Sequence, residues 1–373
     1  MAKPMNILVT GANGFVGKNL IAELKNEGYT DIFSFDIDTP NASLDEYCKK
    51  ADFVFHLAGV NRPKNEAEFM EGNFGFTSEL LAKLKEQQNT CPVMISSSIQ
   101  ATLENSYGKS KKAGEELLKA YQEETGAPVY IYRFSNLYGK WSRPNYNTVV
   151  ATFCYKIARN EEVIVNDPNA VVELCYIDDV IKELFHCLNG KPYRENGYCA
   201  VRETDKVTIG ELKELITSFK NSRIDLSVPN FARRVEKNLY STYLSFLPED
   251  AFSYFLKMNV DNRGSFTEFL RTNDRGQVSI NISKPGVTKG NHWHHTKNEK
   301  FLVVSGQGVI RFRKIDSSEV IAYFVSGEKL EVVDIPVGYT HNIENLGTTD
   351  MVTVMWVNEP FDSEHPDTYY VEV

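Results

Sequence analysis

The sequence predicts an α/β chain: a doubly wound parallel sheet over the first two-thirds, then an all-β barrel or jelly roll. Three observations carry this. Short apolar runs alternate with amphipathic stretches in the first part, the pattern of strands joined by crossover helices. A glycine-rich turn stands between the first run and the first helical stretch. After Asn259 the texture changes to short β-branched runs divided by turn signals, with no helical pattern of useful length. A chain of 373 residues fits about two domains, and we expect them at 1–247 and 256–373.

Asn6–Thr10, Ile32–Asp36, Phe53–Leu57, Val93–Ser96 and Val129–Phe134 read as buried parallel strands, because each is a nearly unbroken apolar run. Gly17–Glu27, Phe74–Gln87 and Lys109–Thr125 carry the helical pattern between them. Around Ser227–Asp261 the pattern weakens; Pro229, Pro248 and several aromatics suggest a linker with a docking segment. The second-half strands are Val278–Ile282, Phe301–Val304, Val309–Phe312, Val320–Phe324, Lys329–Ile335 and Met351–Trp356. Turn signals such as Lys284-Pro285-Gly286, Ser305-Gly306 and Ser326-Gly327 separate them.

Composition excludes several classes. Lys and Arg number 41 against 50 Asp and Glu, a net charge of −9; a phosphate-backbone binder shows the opposite balance, so no nucleic acid partner is expected. No apolar run approaches the ~20 residues of a spanning helix, so no membrane span is expected. Met5–Thr10 runs straight into the glycine turn, unlike a signal peptide, and the expected location is cytoplasmic. Met1–Pro4 read as an extension before an internal Met. Six cysteines form no CxxC pair and read as buried, reduced thiols. The sequons at Asn41 and Asn281 then carry no glycan.

The turn Thr10-Gly11-Ala12-Asn13-Gly14-Phe15-Val16-Gly17 has GxxGxxG spacing, with its strand before and its helix after. Glycines let the backbone approach a pyrophosphate, whose charge meets the free amides of the helix start at Gly14, Phe15, Val16 and Gly17. Asp36 ends the second strand, where a carboxylate accepts from ribose hydroxyls and repels a 2′-phosphate. No Arg or Lys lies between Phe33 and Leu44. This chemistry favours NADH over NADPH.

The same turn, His56-Leu57-Ala58-Gly59, Asn73, Tyr107-Gly108-Lys109-Ser110-Lys111, Arg133–Gly139 (RFSNLYG) and Tyr176–Val180 (YIDDV) resemble the extended short-chain dehydrogenase/reductase family. The resemblance spans roughly residues 5–220 and implies a Rossmann-type domain. It implies nicotinamide contacts at Leu57, Ala58, Gly59, Tyr107 and Lys111, and substrate contacts at Asn136 and Arg133. Physically, Tyr107 and Lys111 stand four apart and share a helix face. A nearby ammonium favours tyrosinate and lowers the phenol from ~10, which suits a general acid for a carbonyl being reduced. By family alignment Ser98 holds the same oxygen, with Ser97 as the alternative.

Gly286-x5-His292-Trp293-His294-x4-Glu299-x6-Gly306 and Pro336-Val337-Gly338-Tyr339-Thr340-His341-Asn342-Ile343-Glu344-Asn345 match the two cupin motifs at every fixed position. Alternation places two imidazoles of HxH on one strand face. Glu299 and His341, from neighbouring strands, complete a three-nitrogen, one-oxygen set for a borderline divalent metal, zinc being the first choice. His292 is either a ligand or a base, and His295 reads as solvated or structural.

Asp261–Glu268 resembles the DxRGxFxE opening of deoxy-sugar 3,5-epimerases, and Lys289-Gly290-Asn291-His292 resembles their RGxH segment. With Gly59-Val60-Asn61-Arg62-Pro63 and Asn291–Glu299, essentially the whole chain resembles the CapF family. That family makes the N-acetyl-L-fucosamine precursor of bacterial capsule and O-antigen. The resemblance implies a UDP-2-acetamido-2,6-dideoxy-hexos-4-ulose substrate, C3 epimerisation in a cupin domain, and C4 reduction by NADPH. The NADPH implied by the family and the NADH favoured by Asp36 both stay open. We expect a homodimer. Two other readings stay open: a single-activity 4-keto-sugar reductase with a metal-braced cupin assembly module, and a nucleotide-sensing regulator, against which Tyr107 and Lys111 argue.

Overall fold

The computed structural model describes residues 3–146, 148–272 and 274–373. It divides into two compact units: one runs to Ser218 and takes up Phe231–Pro248, the other holds Phe219–Asn230 and Glu249–Val373.

In the first unit the strands are β1 (Ile7–Thr10), β2 (Ile32–Phe35), β3 (Phe53–His56), β4 (Val93–Ser98), β5 (Val129–Phe134), β6 (Asn136–Tyr138), β7 (Val171–Tyr176), β8 (Arg194–Glu195), β9 (Tyr198–Cys199) and β10 (Asp205–Thr208). The helices are α1 (Phe15–Asn26), α2 (Ala42–Lys50), α3 (Ala67–Phe69), α4 (Phe76–Glu86), α5 (Ser106–Thr125), α6 (Val149–Ala158), α7 (Ile177–Leu188), α8 (Ile209–Asp225), whose residues from Phe219 on belong to the second unit, and α9 (Arg234–Leu244). A π-helical stretch, Met70–Gly75, joins α3 to α4. The main sheet has the order β2-β1-β3-β4-β5-β9-β8, and its first five strands pair in parallel. A small second sheet has the order β10-β7-β6.

Alternation along the strands feeds two cores, one per face of the main sheet. Ile7 and Val9 pack with Leu20, Leu24, Val180 and Leu184; Leu8 points the other way and packs with Leu44, Leu80, Leu84 and Leu118. This is the doubly wound sheet the strand–helix alternation predicts. The segment read as a linker differs: it contains α9, whose Val235, Leu239 and Tyr243 recur every four residues and are buried. All six cysteines are free and buried.

The second unit carries β11 (Asn259–Asp261), β12 (Gly264–Thr272), β13 (Gly276–Ser283), β14 (Thr288–Trp293), β15 (Glu299–Ser305), β16 (Gln307–Lys314), β17 (Val320–Ser326), β18 (Val332–Ile335), β19 (Tyr339–Asn345), β20 (Met351–Val357) and β21 (Tyr369–Tyr370). They form two sheets, β11-β12-β13-β20-β15-β18 and β17-β16-β19-β14-β21, with antiparallel pairing throughout. Phe301, Val303, Val333, Ile335 and Met351 of one sheet share a core with Ile310, Phe312, Val325 and Ile343 of the other. The all-β second half is thus a double-sheet architecture closed over a common apolar interior.

One buried polar chain fixes the loops above β1 and β3. The Ala58 amide donates to Thr10 Oγ1 at 3.3 Å, and that hydroxyl meets His56 Nδ1 at 2.7 Å. His56 Nε2 meets Thr77 Oγ1 at 2.8 Å, and Thr77 donates to the Asn73 carbonyl at 2.5 Å. The direction of the two ends assigns the neutral tautomer with its proton on Nε2. Burial, aided by the Lys111 charge, pushes His56 down to about 3. An unfolded His binds protons from about 6.5 downward while the folded one does not, so its contribution to stability is present above that value and is lost as pH falls toward 3. The slope from this one group is about 1.4 kcal/mol per pH unit. Thermal unfolding of the whole chain at pH 7 to 4 should show His56→Gln losing less stability on acidification than the wild type. Parallel profiles would contradict the buried neutral imidazole.

Candidate functional site

The first constellation lies where β1, β3 and β4 run into their helices. Gly11 adopts φ +68°, and a Cβ there would come within 2.7 Å of the Ala58 amide nitrogen; at Gly17 it would stand 2.3 Å from the Gly11 carbonyl oxygen. Neither position admits a side chain. The turn is thereby packed against Leu57–Ala58 and against itself. α1 starts at Phe15 with Gly14 as N-cap and no side-chain cap, which leaves the first-turn amides of Phe15, Val16 and Gly17 without intrahelical acceptors. That cradle suits a diphosphate. Asp36 lies beside it: its carboxylate accepts from Asn13 N at 2.7 Å and Ile37 N at 2.8 Å.

β4 delivers Ser96, Ser97 and Ser98, and α5 begins eight residues later. Asn105 caps α5 by accepting from Gly108 N at 2.7 Å, so Tyr107 stands in the first turn and Lys111 one turn below. Ser98 lies close enough to the Tyr107 phenol to favour its ionised form. Ser97 instead donates to the fully buried Glu115 at 2.5 Å, so of the two serines it is Ser98 that faces the phenol. Lys111 donates to the Ser96 carbonyl at 3.0 Å, and its Nζ stands 5.9 Å from the Tyr107 ring centroid. Burial pushes Lys111 down to about 8, with Glu115 pulling the other way. The ammonium does not lower the phenol, contrary to the expectation from spacing. Burial holds Tyr107 above its ordinary value, and the neighbouring Ser98 opposes this.

Gly59 closes the constellation. A Cβ there would come within 2.7 Å of Asn73 Oδ1 and 2.9 Å of Lys111 Nζ. Asn73, in the π-helical stretch, accepts from Val60 N at 2.9 Å and donates to Val60 O at 3.0 Å and Ser110 Oγ at 2.9 Å. It pins the loop after β3 onto α5. Arg133, expected at substrate, is engaged otherwise: it grips Glu115 through Nε at 2.8 Å and Nη2 at 2.6 Å, and stacks 3.7 Å from the Tyr198 ring centroid. Asn136 is exposed and donates to the Glu173 carbonyl at 3.0 Å. Glu115 was missed from sequence, although its place four residues after Lys111 on the same helix face was visible.

The second constellation lies in the second unit. His292, His294, Glu299 and His341 each offer a ligand atom, all within 4.8 Å of one another. His292 sits on β14 opposite His341 on β19. His294 lies one residue past β14, and Glu299 opens β15 in the other sheet. Glu299 and His341 therefore come from different sheets, not from neighbouring strands as the spacing suggested. Glu299 Oε2 stands 3.2 Å from His341 Nε2 and 3.6 Å from His294 Nε2, near the ~3.4 Å between ligand atoms around a tetrahedral ion with bonds of about 2.1 Å.

The donor set fits a metal on a second ground. His294 Nε2, Glu299 Oε2 and both His341 ring nitrogens are buried without hydrogen-bond partners, a costly state unless another group satisfies them. His294 Nδ1 donates to the Asp367 carbonyl at 2.5 Å, which leaves the Nε2 lone pair facing the cluster. Burial and the neighbouring His341 push His292 down to about 4, so it too presents a lone pair at neutral pH. Burial works against the Glu299 carboxylate, but the His294 and His341 imidazoles overcome it and hold it at about 2. His295 lies outside the cluster, stacked edge-on against Trp293 and Tyr369.

Comparison with known proteins covers the whole chain. Residues 7–194 match the NAD dependent epimerase/dehydratase family, and residues 259–369 the polysaccharide biosynthesis C-terminal domain. The chain is 45% identical over 369 residues to a UDP-2-acetamido-2,6-beta-L-arabino-hexul-4-ose reductase of Pseudomonas aeruginosa, covering 99% of both. The crystal structure of the capsular polysaccharide assembling protein CapF from Staphylococcus aureus superposes with a TM-score of 0.94 at 59% identity, over 99% of this chain and 100% of that one. A CapF structure with the inhibitor 3-isopropenyl-tropolone matches at TM-score 0.90 and 55% identity, with 99% and 100% coverage. The chain belongs to the NAD dependent epimerase/dehydratase family and, along its whole length, to the CapF type within it.

Proposed function

We propose that this chain acts on a UDP-2-acetamido-2,6-dideoxy-hexos-4-ulose: the cupin domain (256–373) epimerises C3, and the reductase domain (1–247) then reduces the C4 ketone. The product is a UDP-2-acetamido-2,6-dideoxy-L-hexose of talose type for capsule or O-antigen synthesis, and the working form is a cytoplasmic homodimer. The observation that carries the reductase is the Ser98–Tyr107–Lys111 cluster beside a glycine cradle with free helix-start amides. The 45% identity to a hexul-4-ose reductase supports the substrate class.

A bound nicotinamide supplies the hydride. The protein's own part is to hold the ketone and give it a proton. Ser98 lies beside the Tyr107 phenol, so a carbonyl oxygen that seats between them and replaces their mutual contact receives two donors. A phenol kept above its ordinary pKa is fully protonated at neutral pH and gives up its proton as the oxygen turns alkoxide. Lys111, held by the Ser96 carbonyl with its Nζ 5.9 Å from the Tyr107 ring centroid, keeps a positive charge on the side of the site where the carbonyl oxygen turns alkoxide. Asp36 opposes a 2′-phosphate, whereas the CapF resemblance implies NADPH; affinities for the two cofactors measure which dominates.

In the second unit, His294, Glu299 and His341 would hold a divalent metal, zinc by our reading, with His292 as fourth ligand or as the base that takes the C3 proton before a proton returns to the opposite face; the metal would supply positive charge beside the oxygen that becomes negative in between. The C3 proton is acidic because it lies next to the 4-keto group. A tropolone bears a ketone and a hydroxyl on adjacent carbons, a chelating pair, so an inhibitor of that class on a CapF relative supports a metal here.

Tyr107→Phe should lower the turnover number of reduction by about 10²–10⁴-fold at saturating nicotinamide while the fold stays intact; an undiminished turnover number would remove Tyr107 from the chemistry. Freshly purified protein should contain about one divalent metal per chain, lost in His341→Ala, and chelation should lower the melting temperature of the second unit. A metal-free wild type by elemental analysis would contradict this. In deuterated water without nicotinamide, the keto-sugar should lose its C3 proton signal by NMR, in Tyr107→Phe as in wild type. A persistent signal would leave a single-activity reductase with an assembly module.

A further inference from the structure

Segment Pro366–Val373 touches the surroundings of all four candidate metal ligands. Its strand β21 pairs with β14, with Tyr370 opposite His292 and Tyr369 opposite Trp293. The Asp367 carbonyl accepts from His294 Nδ1 at 2.5 Å. The Val371 carbonyl accepts from the hydroxyl of Thr340, the residue before His341. The Asp367 carboxylate takes the four-residue connection between His294 and Glu299. It accepts from His295 N at 3.0 Å, Thr296 N at 2.9 Å, Thr296 Oγ1 at 3.1 Å and Lys297 N at 3.0 Å. Lys297 Nζ returns to the Pro366 carbonyl at 2.7 Å. Asp367 is in the left-handed region, φ +42°, where an aspartate costs less than most residues.

We infer that Pro366–Val373 straps the metal centre and that Asp367 is its positioning residue: its carboxylate sets the His294–Glu299 spacing and so holds the loop in which its backbone carbonyl, left in place by the variants below, meets the His294 ring. The inference rests on the metal reading above. A carbonyl oxygen on Nδ1 fixes which imidazole nitrogen faces the ion. Three consecutive amides tied to one carboxylate fix a loop whose two ends are ligands; charge-assisted bonds of this kind are stronger than neutral ones. Loss of such outer partners typically weakens metal affinity about 10–100-fold.

The test is zinc affinity of the full chain, measured by competition with a chromophoric chelator. Asp367→Ala should bind zinc about 10–100-fold more weakly, and Asp367→Asn should fall between it and wild type. Asp362→Asn, which changes a surface carboxylate bonded to His365 and the Glu364 amide, should match wild type. Cobalt-loaded Asp367→Ala should also show altered visible absorption, which a change in overall stability alone would not produce. If Asp367→Ala does not fold, Asp367→Asn and Thr296→Val decide, each with weakened zinc binding expected. Wild-type affinity in the folded Asp367 variants would overturn the strap alone; a wild type that takes up no zinc would overturn the metal reading with it.

Discussion

A buried ammonium organises the first unit. Lys111 is almost wholly removed from water, and its charge is stabilised by the Ser96 carbonyl and by Glu115 one turn along the helix. Everything near it is shaped accordingly. Residue 59 is glycine because a methyl group would press on Nζ and on Asn73. His56 stays neutral because it is buried beside that charge. Glu115 is in turn balanced by Arg133 and Ser97, so the carboxylate does not simply neutralise the lysine. The ammonium stays cationic in neutral solution yet sits within reach of the phenol above it.

The second unit solves a different problem with the same economy. Its two sheets share an apolar interior, and three imidazoles and a carboxylate cluster in this unit, of which His294, His341 and Glu299 carry buried atoms with no protein partner. Buried polar atoms without partners cost stability. Ligand atoms drawn from β14, its following loop, β15 and β19 join both sheets at one point, so a metal there would tie them together.

Much of this was legible in the sequence, and the rest was hidden for physical reasons. Strands and the glycine turn follow from unbroken apolar runs and from backbone space that only glycine leaves, both local properties. The two cupin motifs name all four clustered residues because His292, His294 and Glu299 lie close together in sequence, where β14 passes over to β15, and His341 stands opposite His292 on β19. Helix α9 was read as linker: Pro229 and Pro248 flank it, yet its stripe of Val235, Leu239 and Tyr243 was available. Spacing gave the proximity of Tyr107 and Lys111 but not their burial, and burial decides the sign of the phenol shift. The resemblance implies a substrate contact at Arg133, and its pairing with Glu115 has no local signal because Glu115 is 18 residues away on another element. Asp367 had no signal at all, since the four contacts of its carboxylate and the one of its carbonyl lie about 70 positions earlier.

The claim that a buried ammonium underlies the reductase site is tested most directly by titrating it. In protein labelled with ¹³C at lysine Cε, one resonance, assigned by its absence in Lys111→Met, should titrate at about 8. A Lys111 resonance titrating near the ordinary value of about 10.4 would contradict the account, because the side chain would then be solvated and the packing around Gly59 would need another cause.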